Sequence, residues 1–154
     1  MQILNTLDEI LKLELKLMDL YAFFSKLFNE DKEAASVFFK LSLDEKGHAE
    51  LVQYQKRIVS KNLNDFLEVS INIEEIREII SKAENIMKST VPITLEESIK
   101  LALLFEKNAA EYHYKSAVEQ SNPEFAKFLN NLASVDNEHF DSIKKLAERK
   151  NIKV

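Results

Sequence analysis

The stretch Leu41-Ser42-Leu43-Asp44-Glu45-Lys46-Gly47-His48-Ala49-Glu50-Leu51 sets an acid and an imidazole three residues apart within an apolar helical stripe. Three-residue spacing on a helix puts two side chains on one face, about a turn apart. Glu45 and His48 thus stand at the seam position between Leu41 and Leu51, where a packed helix should be apolar. The figure returns near the other end of the chain. Asp136 and His139 interrupt the seam between Leu132 and Ile143.

Two further acids break apolar stripes singly. Glu14 falls between Leu7, Ile10 and Leu11 on one side and Leu17, Met18 and Tyr21 on the other. Glu106 sits among Ile99, Ala102 and Leu103 before it and Ala109 and Ala110 after it. A lone Glu-x-x-His on a helix is usually a solvated surface pair, but this set repeats. Glu14 to Glu45 spans 31 residues and Glu106 to Asp136 spans 30; Glu14 to His48 spans 34 and Glu106 to His139 spans 33. An accidental surface pattern has no reason to recur at matching intervals.

Energetics sharpen the reading. An unpaired buried ion costs several kcal/mol, and a whole domain is stable by only ~5–15 kcal/mol. Four carboxylates in one apolar seam must be protonated, be met by Lys or Arg, or be neutralised by cations. No Lys or Arg falls at the facing seam positions. One carboxylate from each of two helices, with a carboxylate-x-x-His pair from each of the other two, is the ligand count of a two-metal site in a helical bundle. The expected ligands are Glu14, Glu45, His48, Glu106, Asp136 and His139.

Bulk composition agrees. A chain of 154 residues is expected to form one domain over 1–154. One Gly and two Pro are few for sheets and their turns, so an all-α fold is expected. The absence of Cys excludes disulfides, zinc–thiolate sites, iron–sulfur clusters and thiol chemistry. A net charge of −5, with Lys and Glu interspersed, provides no basic stripe for nucleic acid. The N-terminal residues carry acids where a signal peptide has its apolar core, and no apolar run approaches the ~20 residues of a membrane span. A soluble, cytoplasmic protein with no membrane partner is expected.

Helical periodicity predicts a first helix from about Thr6 to Phe28, opened by a Thr6/Glu9 capping box. A second is expected over Lys32–Val59, with Phe38, Leu41, Leu51, Val52, Ile58 and Val59 on one face. Ser60 to Val91 forms a long connector containing a short helix, Ile73 to Met87, whose stripe is Ile76, Ile79, Ile80 and Ala83. Thr94 and Glu97 form another capping box, opening a helix to about Gln120. Asn122 as N-cap and Pro123 at the first helical position open the last, to about Arg149. Two hairpins joined by a long crossover give an antiparallel four-helix bundle with ferritin-like connectivity.

At these residues the sequence resembles the rubrerythrin branch of the ferritin-like superfamily over nearly the whole chain. Glu14 with Tyr21 seven positions later, then Glu45-Lys46-Gly47-His48, resembles the first half of the pattern; Glu106 and Asp136-Asn137-Glu138-His139 resemble the second. The resemblance implies a non-haem di-iron centre reacting with peroxide or dioxygen, and a homodimer. Mixed oxygen and nitrogen ligands also admit manganese or zinc. There are four departures. Asp136 stands where the family has Glu. Ala109 stands where many members have a redox-dependent Glu ligand. His113 stands where a Tyr is expected. The rubredoxin-like domain is missing, so electrons must come from a separate donor such as a rubredoxin-like protein.

The expected function is therefore an oxidoreductase acting on peroxide or dioxygen. The alternatives are ferroxidase-like iron handling and a metal-free helical interaction module with vestigial ligands. Tyr21 is expected either to donate its hydroxyl to a ligand carboxylate or to fill the core. His113 could bond a ligand, ligate directly, or be a half-buried core residue. Gly47 could admit another backbone, while Glu50, Glu111 and Glu138 fall off the seam and are expected in solvent.

Overall fold

Local signals at the helix ends fix most element boundaries. The computed structural model describes residues 3–65, 73–120 and 122–154. Five α-helices lie among them: α1 (Ile3–Leu27), α2 (Lys32–Lys61), α3 (Glu74–Lys88), α4 (Leu95–Val118) and α5 (Pro123–Arg149), with a 3-10 turn over Leu63–Asp65. The Thr94 hydroxyl accepts from the Glu97 amide while the Glu97 carboxylate accepts from Thr94 N–H, so the expected capping box forms. Asn122 accepts from the amides of Glu124 and Phe125, with Pro123 opening α5. Asp31 caps α2 through the Ala34 amide.

The start of α1 differs from the expectation. Thr6 is not a cap; it lies inside the helix, fully buried, because α1 already includes Ile3, which packs into the core. Glu9 pairs instead with Lys12 at 2.9 Å and Arg77 at 3.5 Å. On α2, Leu51 does not join the inner stripe: it is exposed beside Phe39, Leu43 and Tyr54, and Val52 takes the inward position. Ile58 is only half-buried. Within the connector, residues 66–72 lie outside the described residues.

The chain is an all-α ferritin-like bundle. Helix α1 packs along α2, and α4 along α5, while α2 also meets α5. Helix α3 packs against α1 and reaches α4, turning Ile76, Ile79 and Ala83 inward with Ile80 half-buried. The core is continuous. Leu13, Leu17, Leu20, Tyr21 and Phe24 of α1 meet Phe38 and Val52 of α2, Ile99 and Phe105 of α4, and Leu129 and Ile143 of α5. Full burial of a Leu or Phe side chain contributes ~1.5–3 kcal/mol, so this interior holds the helices rigidly around any polar group within it. Among the described residues no helix is long and apolar enough to cross a membrane.

Candidate metal centre

All six expected ligand residues lie inside the bundle. Glu14 comes from α1, Glu45 and His48 from α2, Glu106 from α4, and Asp136 and His139 from α5; each is buried, with His48 the most exposed at 7 %. Each occupies a position that helical periodicity turns inward, so the apolar pattern that folds the bundle also carries the acids into it. Glu50, Glu111 and Glu138 face outward, as their off-seam positions require.

The groups converge. His48 Nδ1 lies 3.3 Å from Glu45 Oε2 and 3.4 Å from Glu14 Oε2. His139 Nδ1 lies 3.1 Å from Glu45 Oε1 and 3.5 Å from Glu106 Oε2. Glu45 thus stands between both imidazoles, whose rings stack with centroids 5.2 Å apart. Two sets of three ligating atoms each fall within 4.8 Å: Glu45, His48 and His139, and Glu106, Asp136 and His139.

His48 Nδ1 and Glu45 Oε2 are hydrogen-bonded, but much of the cluster is not. Glu14 Oε2, Glu45 Oε1, Glu106 Oε2, His113 Nε2 and both nitrogens of His139 are buried without a hydrogen-bond partner. A buried polar atom left unpaired costs ~1–3 kcal/mol, more when charged. Among the described residues no Lys or Arg forms an ion pair with any of the four carboxylates. Buried oxygens and nitrogens aimed at a shared interior and left without hydrogen bonds fit a cation-binding site, and the ligand set, hard oxygen plus imidazole, suits iron, manganese or zinc.

Protonation follows from the same crowding. Burial, followed by the charge of Glu45, raises the Glu14 carboxyl to about 7. Glu106 and Asp136 are also raised, chiefly by burial. Burial pulls His48 and His139 down, but adjoining carboxylates outweigh it: Glu14 and Glu45 bring His48 to about 10, and Glu106 and Glu45 bring His139 to about 11. Without metal, protons hold this cluster together.

Three neighbours complete the site. Tyr21, fully buried, donates its hydroxyl to Glu106 Oε1. His113 is wholly buried rather than half-buried, with Nδ1 2.6 Å from Asp136 Oδ2 and Nε2 4.0 Å from Glu14 Oε1. Asp44 was not singled out from the sequence, yet its Oδ2 faces His139 Nε2 at 3.5 Å while pairing with Lys40 at 3.2 Å. Its place beside Glu45 was the available signal, but adjacent helix residues normally point to different faces.

A groove of about 460 Å³ between α2 and α5 leads to the imidazoles; Asp44, Gly47, His48, Val135 and His139 line it. A methyl group at Gly47 would meet no heavy atom within 4 Å. Close approach by another segment of this chain therefore does not account for that glycine.

The sequence matches the family model described as rubrerythrin over residues 5–147. No curated protein and no solved structure matches it.

Proposed function

This chain belongs to the rubrerythrin family, and from that premise we propose that it is a non-haem di-iron carboxylate oxidoreductase, reducing hydrogen peroxide or dioxygen with electrons from a separate donor protein. The observation that carries the metal reading is the set of buried carboxylate and imidazole atoms on Glu14, Glu45, Glu106 and His139 that face one another without hydrogen-bond partners. Glu14, Glu45, His48, Glu106, Asp136 and His139 would hold two metal ions. A ferrous pair, when bound, would supply one electron from each ion, matching the two-electron reduction of peroxide to water.

The chain's own residues do the rest. Carboxylate oxygens are hard donors and favour the more highly charged, oxidised ions. The Tyr21 hydroxyl fixes the orientation of Glu106. Apolar side chains such as Phe38, Phe105 and Leu17 keep bulk water from the interior, while the groove past Gly47 admits a small oxidant. No Cys is present to hold a rubredoxin-type iron, which is why the donor is placed outside these residues.

Anaerobic loading with ferrous iron, followed by stopped-flow mixing with peroxide, tests the reading. Oxidation of two bound ferrous ions per peroxide consumed is expected. Bound iron that stays ferrous would end it.

A further inference from the structure

His113 is one of three histidines in the chain, and all three meet in this interior. It lies on α4 seven residues after Glu106, as Tyr21 lies on α1 seven residues after Glu14. The two hairpins therefore put a phenol and an imidazole in corresponding places. A phenol hydroxyl there donates to Glu106. An imidazole can do something a phenol cannot: donate from one nitrogen while offering a lone pair from the other.

The surroundings select that arrangement. Nδ1 lies 2.6 Å from Asp136 Oδ2, an acceptor when ionised, so the hydrogen belongs on Nδ1. A neutral ring then carries its lone pair on Nε2, which is buried, has no hydrogen-bond partner and faces Glu14 Oε1 at 4.0 Å. Two lone-pair atoms facing each other in an apolar interior need a positive centre. Ligand atoms each ~2.1 Å from one ion can be up to ~4.2 Å apart, so the observed separation admits a shared cation. One turn after Glu106, α4 offers only the methyl of Ala109; His113, a turn further, is the next buried imidazole or carboxylate on that helix. Asp136, bonded to Nδ1–H, fixes the ring as carboxylates commonly fix metal-bound imidazoles.

We propose that His113 is a third imidazole ligand of the centre, binding through Nε2 the same cation as Glu14 and held in place by Asp136. This rests on the metal reading given above. The competing arrangement is an imidazolium lying between Asp136 and Glu14, with hydrogen on both nitrogens.

Titration of the full-length, 15N-histidine-labelled protein with zinc, a diamagnetic probe, followed by long-range 1H–15N spectra, separates them. The expected result is that His113 Nε2 moves to the metal-bound range together with one nitrogen each of His48 and His139. If His48 and His139 move while His113 keeps both N–H groups or a free lone pair, the inference is overturned and the metal centre stands. If no ring nitrogen moves, the metal centre and the inference fall together. His113→Gln supplies a second readout, since its amide can still donate to Asp136. Zinc affinity should fall by about 10- to 100-fold; unchanged affinity in a folded variant overturns the inference.

Discussion

Tyr21 on α1 donates its hydroxyl to Glu106 on α4, across the bundle, and not to Glu14 on its own helix. Seven helical residues separate Tyr21 from Glu14, about 10.5 Å along the axis, too far for a phenol to turn back. The opposing helix brings an acceptor to it. The first hairpin thereby steadies a group supplied by the second.

Tyr21→Phe removes that donor and leaves Glu106 Oε1 buried without it. A loss of ~1–3 kcal/mol in stability is expected, together with metal binding weakened by about 10- to 100-fold. Thermal melts and metal titration measure the two separately. A variant indistinguishable from the parent in both would show that the hydroxyl holds nothing.

The metal-free protein should lose stability as pH rises. Glu14, His48 and His139 all bind protons more tightly folded than unfolded, so the native state holds more protons and stability falls with pH. The contribution of Glu14 is complete below about 4.5 and disappears through about 7. Those of His48 and His139 are complete below about 6.5 and disappear through about 10 and 11. At ~1.4 kcal/mol per tenfold change in proton affinity, Glu14 alone contributes a few kcal/mol, on the order of 10 °C in melting temperature. A metal-free melting curve that is flat or rises between pH 5 and 9 would contradict the burial of these charges.

Metal should replace those protons. At a free concentration of 100 times Kd, each site is expected to stabilise the native state by ~2.7 kcal/mol, or roughly 5–10 °C. Binding should release protons to an unbuffered solution, and a chelator should reverse both effects. Melting temperatures unmoved by iron, manganese and zinc would favour a metal-free bundle.

Asp44→Asn tests the carboxylate facing His139 Nε2 at 3.5 Å. An amide cannot supply the negative charge that steadies a metal-bound imidazole, so metal affinity should drop by about tenfold or more. The metal-free fold should change little, since Asp44 is partly exposed and its pair with Lys40 lies at the surface. Unaltered affinity would place Asp44 outside the centre.

Gly47→Ala should stabilise the protein. The position is inside α2 and has free space for a methyl group, and Ala exceeds Gly in helix propensity by ~1 kcal/mol. A rise of roughly 2–4 °C is expected; destabilisation would mean that something outside this chain needs the gap.

Much of the bundle was legible because helix formation writes periodic, local signals. The Thr94/Glu97 box, the Asn122–Pro123 start and the seam acids Glu14, Glu45, Glu106 and Asp136 all depend on spacing along one segment. The Thr6/Glu9 pattern misled for the same reason: the local motif was present, but packing of Ile3 extended α1 past it. Leu51 misled because an apolar residue is an ambiguous signal, inward or outward, when Val52 competes for the core.

The sequence by itself determined that these are helices in two repeated hairpins and that acids and imidazoles occupy their inner faces, since a 3.6-residue period fixes which side of a helix each residue takes. Only the tertiary structure decided which groups meet across helices: Tyr21 with Glu106, His113 with Asp136, and Asp44 with His139. Those pairings depend on how far one helix is shifted along its neighbour, a distance set by the packing of the whole core and written in no single segment.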